Sequence, residues 1–281
     1  MKQWKVLQTL KDKKKAEEII KLLLQSRGLK TKKQIDEFLK PPSPKNLTSN
    51  SLGISKEGLV KAVKRIKKAI DSKESIIIYG DYDADGICGT AILWEALNKL
   101  GAQCLPYIPK RLKEGYGLSI KGIQNLGEVK LIITVDNGIT ANKAVDYAKK
   151  KGIDVIITDH HLPSKKIPEA LAMVHTTNLS GSGVAWVLAN HLKDESGLEL
   201  ATIGTIADMV PLIGANRSLV KFGLRKLNKT NRLGLLSLFK EVRLEKGKIE
   251  AWGISFIISP RLNASGRLAD GMDALRLLCT N

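Results

Sequence analysis

The sequence predicts an α/β protein built on a parallel, doubly wound sheet, with a helical N-terminal adaptor and a helical C-terminal extension. Three observations predict it. Ile76-Ile77-Ile78-Tyr79, Leu131-Ile132-Ile133-Thr134 and Val155-Ile156-Ile157-Thr158 are β-branched runs of strand length, as expected for strands buried on both faces. Helical spacing of apolar residues flanks the runs, the alternation that builds parallel sheets. Each run also leads into acid: Asp81-Tyr82-Asp83-Ala84-Asp85-Gly86, Val135-Asp136-Asn137-Gly138 and Asp159-His160-His161, with a fourth cluster at Ala207-Asp208-Met209-Val210-Pro211. Ligands in open α/β sheets collect at the carboxyl ends of strands, so the four clusters read together as one split metal site.

Element by element, residues 14–25 carry apolar side chains at helical spacing and Gly28 ends that helix. Pro41-Pro42-Ser43-Pro44 marks a loop, and residues 59–70 form a basic amphipathic helix leading into the first strand. After the first acidic cluster, residues 86–100 place Ile87, Ala91, Trp94 and Leu97 on one helical stripe that stops at Gly101, which makes Trp94 a core residue. A second strand over about residues 103–108 precedes a loop through Arg111, Glu114-Gly115-Tyr116-Gly117 and Leu118. The second and third acidic turns bracket a strand, helix, strand unit whose helix carries Ala144, Val145 and Ala148 and closes at Gly152, a spacing that suits a right-handed crossover. Beyond Pro211 the pattern is helical over residues 218–227 and 233–239, ahead of the apolar run Ile254-Ser255-Phe256-Ile257-Ile258.

A chain of 281 residues that is 43% hydrophobic can bury a sizeable core and is long enough for more than one domain. The expected division is a basic helical segment (1–74), a catalytic domain (75–212) and a helical extension (213–281). No apolar stretch reaches the ~18 residues that a membrane span needs, and the lysine-rich start lacks a signal peptide's apolar segment. The expectation is a cytoplasmic protein without a membrane partner. Cys88, Cys104 and Cys279 fit no metal-binding spacing and read as reduced thiols.

The net charge of +18 is unevenly spread. Residues 1–74 carry 20 Lys and Arg against 8 Asp and Glu, residues 209–281 carry 13 against 5, and the middle carries 13 against 15. Cations outside to hold phosphates and carboxylates inside to hold divalent metal is the charge pattern of a phosphodiester-cutting enzyme.

Asp81, Asp83 and Asp85 alternate, so a continuing strand would turn all three to one side, while a turn into helix at Gly86 would converge two of them. Either way the carboxylates would repel and raise one another's pKa unless a cation neutralised them. An EF-hand is excluded, since Ile92 stands where its bidentate acid belongs. Asp159-His160-His161 adds imidazole to an oxygen-rich set, a mixture that suits manganese, or magnesium with more water, better than calcium or structural zinc. His175 and His191 lack such company and read as ordinary.

In this order the four clusters resemble the DHH phosphoesterase family. Arg111 to Leu118, Gly181-Ser182-Gly183-Val184-Ala185-Trp186 and Pro260-Arg261-Leu262-Asn263-Ala264-Ser265-Gly266-Arg267 are similar to its RecJ-type branch, the single-strand-specific exonucleases. The resemblance spans about residues 75–267. It implies 5′-to-3′ hydrolysis of single-stranded DNA with one or two Mn2+ or Mg2+ ions, which activate water and neutralise phosphoryl oxygens. By motif position Asp83, Asp85, Asp136, His160 and Asp208 match the family's metal ligands, and Asp81, Asp159 and His161 complete the catalytic site, His161 as a proton donor or water-orienting group. Arg111, Arg261, Asn263 and Arg267 are candidates for the 5′ phosphate and neighbouring backbone, since guanidinium offers bidentate donors. Tyr82, Tyr116 and Trp252 are candidate stacking surfaces for bases. The implied partners are single-stranded DNA with a 5′ end and proteins of DNA repair or replication.

The sequence departs from the family's pattern in three places. Tyr79 stands where some relatives carry a histidine, which bears on the second metal. The stretch between Ala172 and Gly181 is shorter than in many relatives. The sequence ends at Asn281 without the family's glycine-glycine-histidine motif, so the expectation is a fragment or minimal member that lacks one wall of the DNA cleft and degrades DNA distributively. Two other readings use the same residues: a phosphodiesterase for oligoribonucleotides or cyclic dinucleotides, and a non-catalytic nucleic-acid-binding scaffold. The basic flanks favour a polymer substrate over the first, and retention of every acidic motif argues against the second. A dinucleotide-binding fold is disfavoured because no Gly-x-Gly-x-x-Gly turn follows the first strand.

Overall fold

The computed structural model describes residues 6 and 15–280. They fall into two compact units that meet between Pro42 and Ser43. The first contains α1 (Ala16–Ser26) and α2 (Lys32–Leu39). Lys14, where the first helix was expected to begin, lies outside the described residues. Thr31 starts α2 with a reciprocal capping box to Gln34.

The second unit opens with α3 (Ser49–Leu52) and α4 (Lys56–Asp71). Ser55 caps α4 by accepting from the Gly58 N–H at 3.1 Å. Leu59, Ala62, Ile66 and Ala69, at three- and four-residue spacing, are all buried in the same core cluster as the sheet. Burial of Leu59 or Ile66 contributes about 1.5–3 kcal/mol each, so α4 is a structural layer of this unit.

Alternation of strand and helix follows: β1 (Ile76–Tyr79), α5 (Ala84–Lys99), β2 (Cys104–Tyr107), α6 (Arg111–Glu114), α7 (Ile120–Gln124), β3 (Leu131–Val135), α8 (Asn142–Lys150), β4 (Asp154–Asp159) and β5 (Ala172–His175). The sheet is wholly parallel in the order β2-β1-β3-β4-β5. Its faces bury alternate side chains. Ile76, Ile78, Leu131, Ile133 and Ile156 join the larger core with α4 and α5, while Ile77, Tyr79, Ile132, Val155 and Ile157 meet α7 and α8 on the other side. Helices on both faces make the sheet doubly wound, and the strand order reverses between β1 and β3. The crevice at such a switch point lies beyond the carboxyl ends of these strands, where Asp81 and Asp136 follow.

Past the sheet come α9 (Gly181–His191), α10 (Leu198–Ala207), α11 (Gly214–Leu227), α12 (Leu233–Glu241), α13 (Ala251–Gly253), α14 (Ser259–Leu268) and α15 (Gly271–Cys279). One feature differs from the sequence expectation: Ala172–His175 adds a fifth strand, paired with β4 from Ile156↔Ala172 to Asp159↔His175. The apolar run Ile254–Ile258 forms a π-helical turn joining α13 to α14. Cys88 is fully buried near the start of α5, and all three cysteines are free thiols. Among the described residues no helix is long and apolar enough to cross a membrane.

Candidate metal centre

β1 stops at Tyr79, so the three alternating aspartates do not share one strand face. Asp83 becomes the N-cap of α5, its Oδ1 accepting from the N–H groups of Asp85 at 2.9 Å and Gly86 at 3.0 Å. Asp85 then lies in the first helical turn and points to α9, where its carboxylate accepts from the Gly181 N–H at 2.6 Å and the Ser182 N–H at 3.1 Å. Asp81 stays in the turn below, 2% exposed.

Asp136 follows β3 with φ +61°, in the left-handed region that a residue with a Cβ enters only under constraint. Next to it, Asn137 holds the switch point together. Its Nδ2 donates to the carbonyls of Tyr79 at 3.1 Å and Val135 at 2.9 Å, and its Oδ1 accepts from the Leu118 N–H at 3.0 Å. Asp159 ends β4 and serves as an anchor: its carboxylate accepts from the backbone N–H of Ile139, His160 and His161, and its Oδ1 lies 2.8 Å from His161 Nδ1. Asp208 caps the C-terminal end of α10.

These elements converge. His160 Nε2 lies 3.1 Å from Asp136 Oδ1 and 3.6 Å from Asp208 Oδ2. Three overlapping sets, Asp81 with Asp83 and Asp136, Asp85 with His160 and Asp208, and Asp136 with His160 and His161, each bring their ligand atoms within 4.8 Å of one another. Two glycines make room. A Cβ on Gly181 would stand 2.3 Å from Asp136 Oδ1, and one on Gly204 would stand 2.3 Å from Asp85 Oδ1, so α9 and α10 approach the carboxylates only because these positions lack side chains.

The electrostatics of the cluster is self-repulsive. Burial first, and then the charge of Asp83, pushes Asp81 up to about 7 and Asp85 up to about 6. Burial followed by the charges of Asp85 and Asp83 lifts Asp208 to about 7 and Asp136 well above the carboxylate range. Burial and the neighbouring His161 depress His160 to about 4, leaving its imidazole neutral. Asp159 behaves differently: burial would raise it, but hydrogen bonds from His161 and the Ile139 N–H outweigh that and hold it below its ordinary range. The same bond to Asp159 raises His161.

Asp81 Oδ1, Asp136 Oδ1 and Asp208 Oδ2 are buried without a hydrogen-bond donor. His160 stands beside Asp136 Oδ1 without being directed at it. Among the described residues the only ion-pair partners of these carboxylates are His160 and His161. Buried anions without donors or counter-ions are strongly unfavourable, and a hard divalent cation is the group that oxygen lone pairs converging with a neutral imidazole fit.

The remaining candidates surround this cluster. Tyr116, with its hydroxyl 3.2 Å from His161 Nε2, meets the Tyr82 ring edge-on at 6.1 Å, and the Arg111 guanidinium lies 5.3 Å over Tyr82. Burial and Asp81 raise the Tyr82 hydroxyl, against the opposing charges of Arg111 and Arg267. Asn263 Oδ1 accepts from the Ala84 N–H at 2.7 Å, so this side chain holds α14 to the head of α5. Arg261 is turned back to the Ile257 carbonyl at 2.8 Å. Tyr79 is buried on the other sheet face with its ring 5.0 Å from Tyr107. His175, read from sequence as ordinary, bonds the His161 carbonyl at 2.7 Å. Gly181 and Ile139 hold carboxylates through backbone N–H groups, for which a sequence carries no side-chain signal. Tyr116 had a positional one, between two glycines.

Residues 75–211 match the DHH family, N-terminal domain. These residues are a DHH-family domain. Around this DHH domain the chain is 44% identical over 236 residues to the single-stranded-DNA-specific exonuclease RecJ of Bacillus subtilis (strain 168), covering 79% of this chain and 30% of that protein. Its structure is similar to a crystal structure of exonuclease RecJ bound to manganese, with TM-score 0.73 and 39% identity over 79% of this chain and 60% of that one. It is also similar to RecJ from Thermus thermophilus in complex with Mg2+, with TM-score 0.67 and 32% identity over 93% of this chain and 36% of that one. The chain therefore spans less than two thirds of the length of the relatives it matches.

Proposed function

We propose that this chain supplies the hydrolytic centre of a nuclease that cuts phosphodiester bonds of single-stranded DNA from the 5′ end, with residues 75–212 as its catalytic domain. The observation that carries the reading is the set of buried oxygens without donors on Asp81, Asp136 and Asp208, gathered around the neutral His160 imidazole. In this reading Asp83, Asp85, Asp136, His160 and Asp208 hold one or two manganese or magnesium ions, with Asp81 beside them. The bound metal supplies Lewis acidity toward water and the phosphoryl oxygens.

The chain's own groups do the rest. Gly181 and Ser182 N–H hold the Asp85 carboxylate in place, and the strained Asp136 backbone turns its side chain toward His160. Asp159 orients His161 through Nδ1, which leaves the imidazole placed to deliver a proton to the leaving 3′ oxygen. Arg111 and Arg267, near Tyr82, are the cations assigned to the 5′ phosphate, with Tyr82 and Tyr116 as stacking surfaces. Arg261 serves the same backbone after release from Ile257, and Asn263 through its amide N–H group. The names of the relatives support single-stranded DNA as the polymer; a cytoplasmic setting among DNA repair or replication proteins goes with that substrate.

The test is manganese-dependent digestion of 5′-labelled single strands, with DNA, RNA and dinucleotides side by side. Mononucleotide release from the 5′ end of DNA, faster than from RNA or dinucleotides, is the expected result. Cleavage restricted to dinucleotides would replace the polymer reading with a small-substrate phosphodiesterase.

A further inference from the structure

A cleft of about 880 Å³ lies among α5, α9, α10 and α11, lined by Trp94, Trp186, Phe222, Lys226 and Lys229 among others. It is remote from the metal centre. Asp83 caps the start of α5, whereas Trp94, Asn98 and Lys99 at the other end of that helix line the cleft. At 1.5 Å rise per residue, Asn98 is about 22 Å along the helix from Asp83. α10 is likewise split, with Leu198 and Glu199 in the cleft and Asp208 at the metal centre.

Two features of the lining specify a ligand. The first is charge. Six cations and three carboxylates line the cleft. Glu95 and Glu199 are consumed by Arg232, and Glu195 pairs with Lys45. Arg225, Lys226 and Lys229 have no carboxylate partner among the described residues and form an exposed cationic rim at the end of α11. The second is aromatic surface: Trp94 and Phe222 are half-buried, and Phe222 carries the Arg225 guanidinium 5.5 Å from its ring.

An anion and a flat ring within one ligand describe a nucleotide. Bases stack on aromatic side chains, and phosphate dianions seek lysine and arginine. The volume lies within the range of small-molecule sites, about 300–1,000 Å³. We propose that this cleft binds a mononucleotide, its base against Trp94 and Phe222 and its phosphate on Lys226 and Lys229, as a site separate from the metal centre.

The experiment is titration of the full chain, kept metal-free with a chelator, with 2′-deoxyadenosine 5′-monophosphate, followed by calorimetry and tryptophan fluorescence. Without metal no turnover enters the assay, so its outcome is independent of the proposed hydrolysis, and the lysine variants separate this cleft from the arginines near Tyr82. Saturable one-to-one binding is expected in the parent and in Asp136→Asn. Binding should weaken by about tenfold or more, a factor worth about 1.4 kcal/mol, when Lys226→Ala and Lys229→Ala are combined. These lysines are exposed, so the fold should persist, and circular dichroism checks that it does. Deoxyadenosine and inorganic phosphate should each bind at least about tenfold more weakly than the nucleotide, by the same measure. No saturable binding at millimolar nucleotide would overturn the proposal. So would undiminished affinity in the folded double variant, loss of binding in Asp136→Asn, or deoxyadenosine binding as tightly as the nucleotide.

Discussion

The second unit buries charge in two places, and they are built in opposite ways. At the far end of α5, Glu95 and Glu199 are both claimed by Arg232, whose Nη2 donates to Glu95 at 2.6 Å and Nε to Glu199 at 2.7 Å, with Nη1 also on the Leu278 carbonyl at 3.2 Å. At the near end, carboxylates of one sign converge with oxygens that have no donor. The first cluster is complete as folded and joins α5, α10, α12 and α15. The second is a repulsion held in place by backbone hydrogen bonds and by glycines that let helices close around it. Structure alone is served by pairing; only a ligand of opposite charge makes sense of the unpaired set.

Predictions follow from breaking each cluster, taken from the largest expected effect down. Asp136→Asn removes a carboxylate from two of the three candidate ligand sets, and hydrolysis should fall by more than the about 10–100-fold typical of outer-shell changes. Single-strand binding should persist, because no basic contact is lost; gel shift and digestion of the same labelled strand measure both. At the paired cluster, Arg232→Met leaves two buried carboxylates without a partner. Stability should drop by about 3–5 kcal/mol, read by urea unfolding, and manganese should not restore it. Asp159→Asn keeps the candidate ligands but loosens His161, so activity should fall by about 10–100-fold with folding intact by circular dichroism.

The smallest effect is a pH dependence. Asp81 and Asp208 titrate near 7 in the metal-free fold against 3.8 ordinarily, and Asp85 near 6. The fold therefore binds protons that the unfolded chain has released. The stability these groups contribute is full below about pH 4 and is lost as pH rises through their folded values. His160, depressed to about 4, acts in the other direction and only below its ordinary value of 6.5. In chelator, Asp81→Asn should lose less melting temperature than the parent between about pH 5.5 and pH 8. Saturating manganese should reverse the parent's trend, since metal binds deprotonated ligands. Parallel curves for the two proteins would show that Asp81 is not the repelled group described here.

Much of this was legible in the chain. The triple-isoleucine strand of β1 and the similar runs in β3 and β4 announce themselves because strands buried on both faces admit little else. β5 did not, because Ala172-Met173-Val174-His175 is short and only alternately buried. α10 is buried nearly all round and so shows no amphipathic stripe to read. Ile254–Ile258, whose apolar run names no element in the sequence, continues a helical run between Ala251 and Leu268. At the metal centre, the acids and His160 could be named from their motifs. What places them could not: the N–H groups of Gly181 and Ser182, the switch-point bonds of Asn137 and the support of His175 belong to the tertiary fold.

The central claim is that the unpaired carboxylates form a divalent-metal site. Calorimetric titration of the metal-free protein with manganese, run in parallel on Asp136→Asn and Arg232→Met, tests it most directly. The parent should take up one to two ions and gain thermal stability, as any ligand of the native state confers. Asp136→Asn should lose uptake, and Arg232→Met, wherever it remains folded, should retain it. No uptake by the parent at millimolar manganese, or equal uptake by Asp136→Asn, would contradict the account.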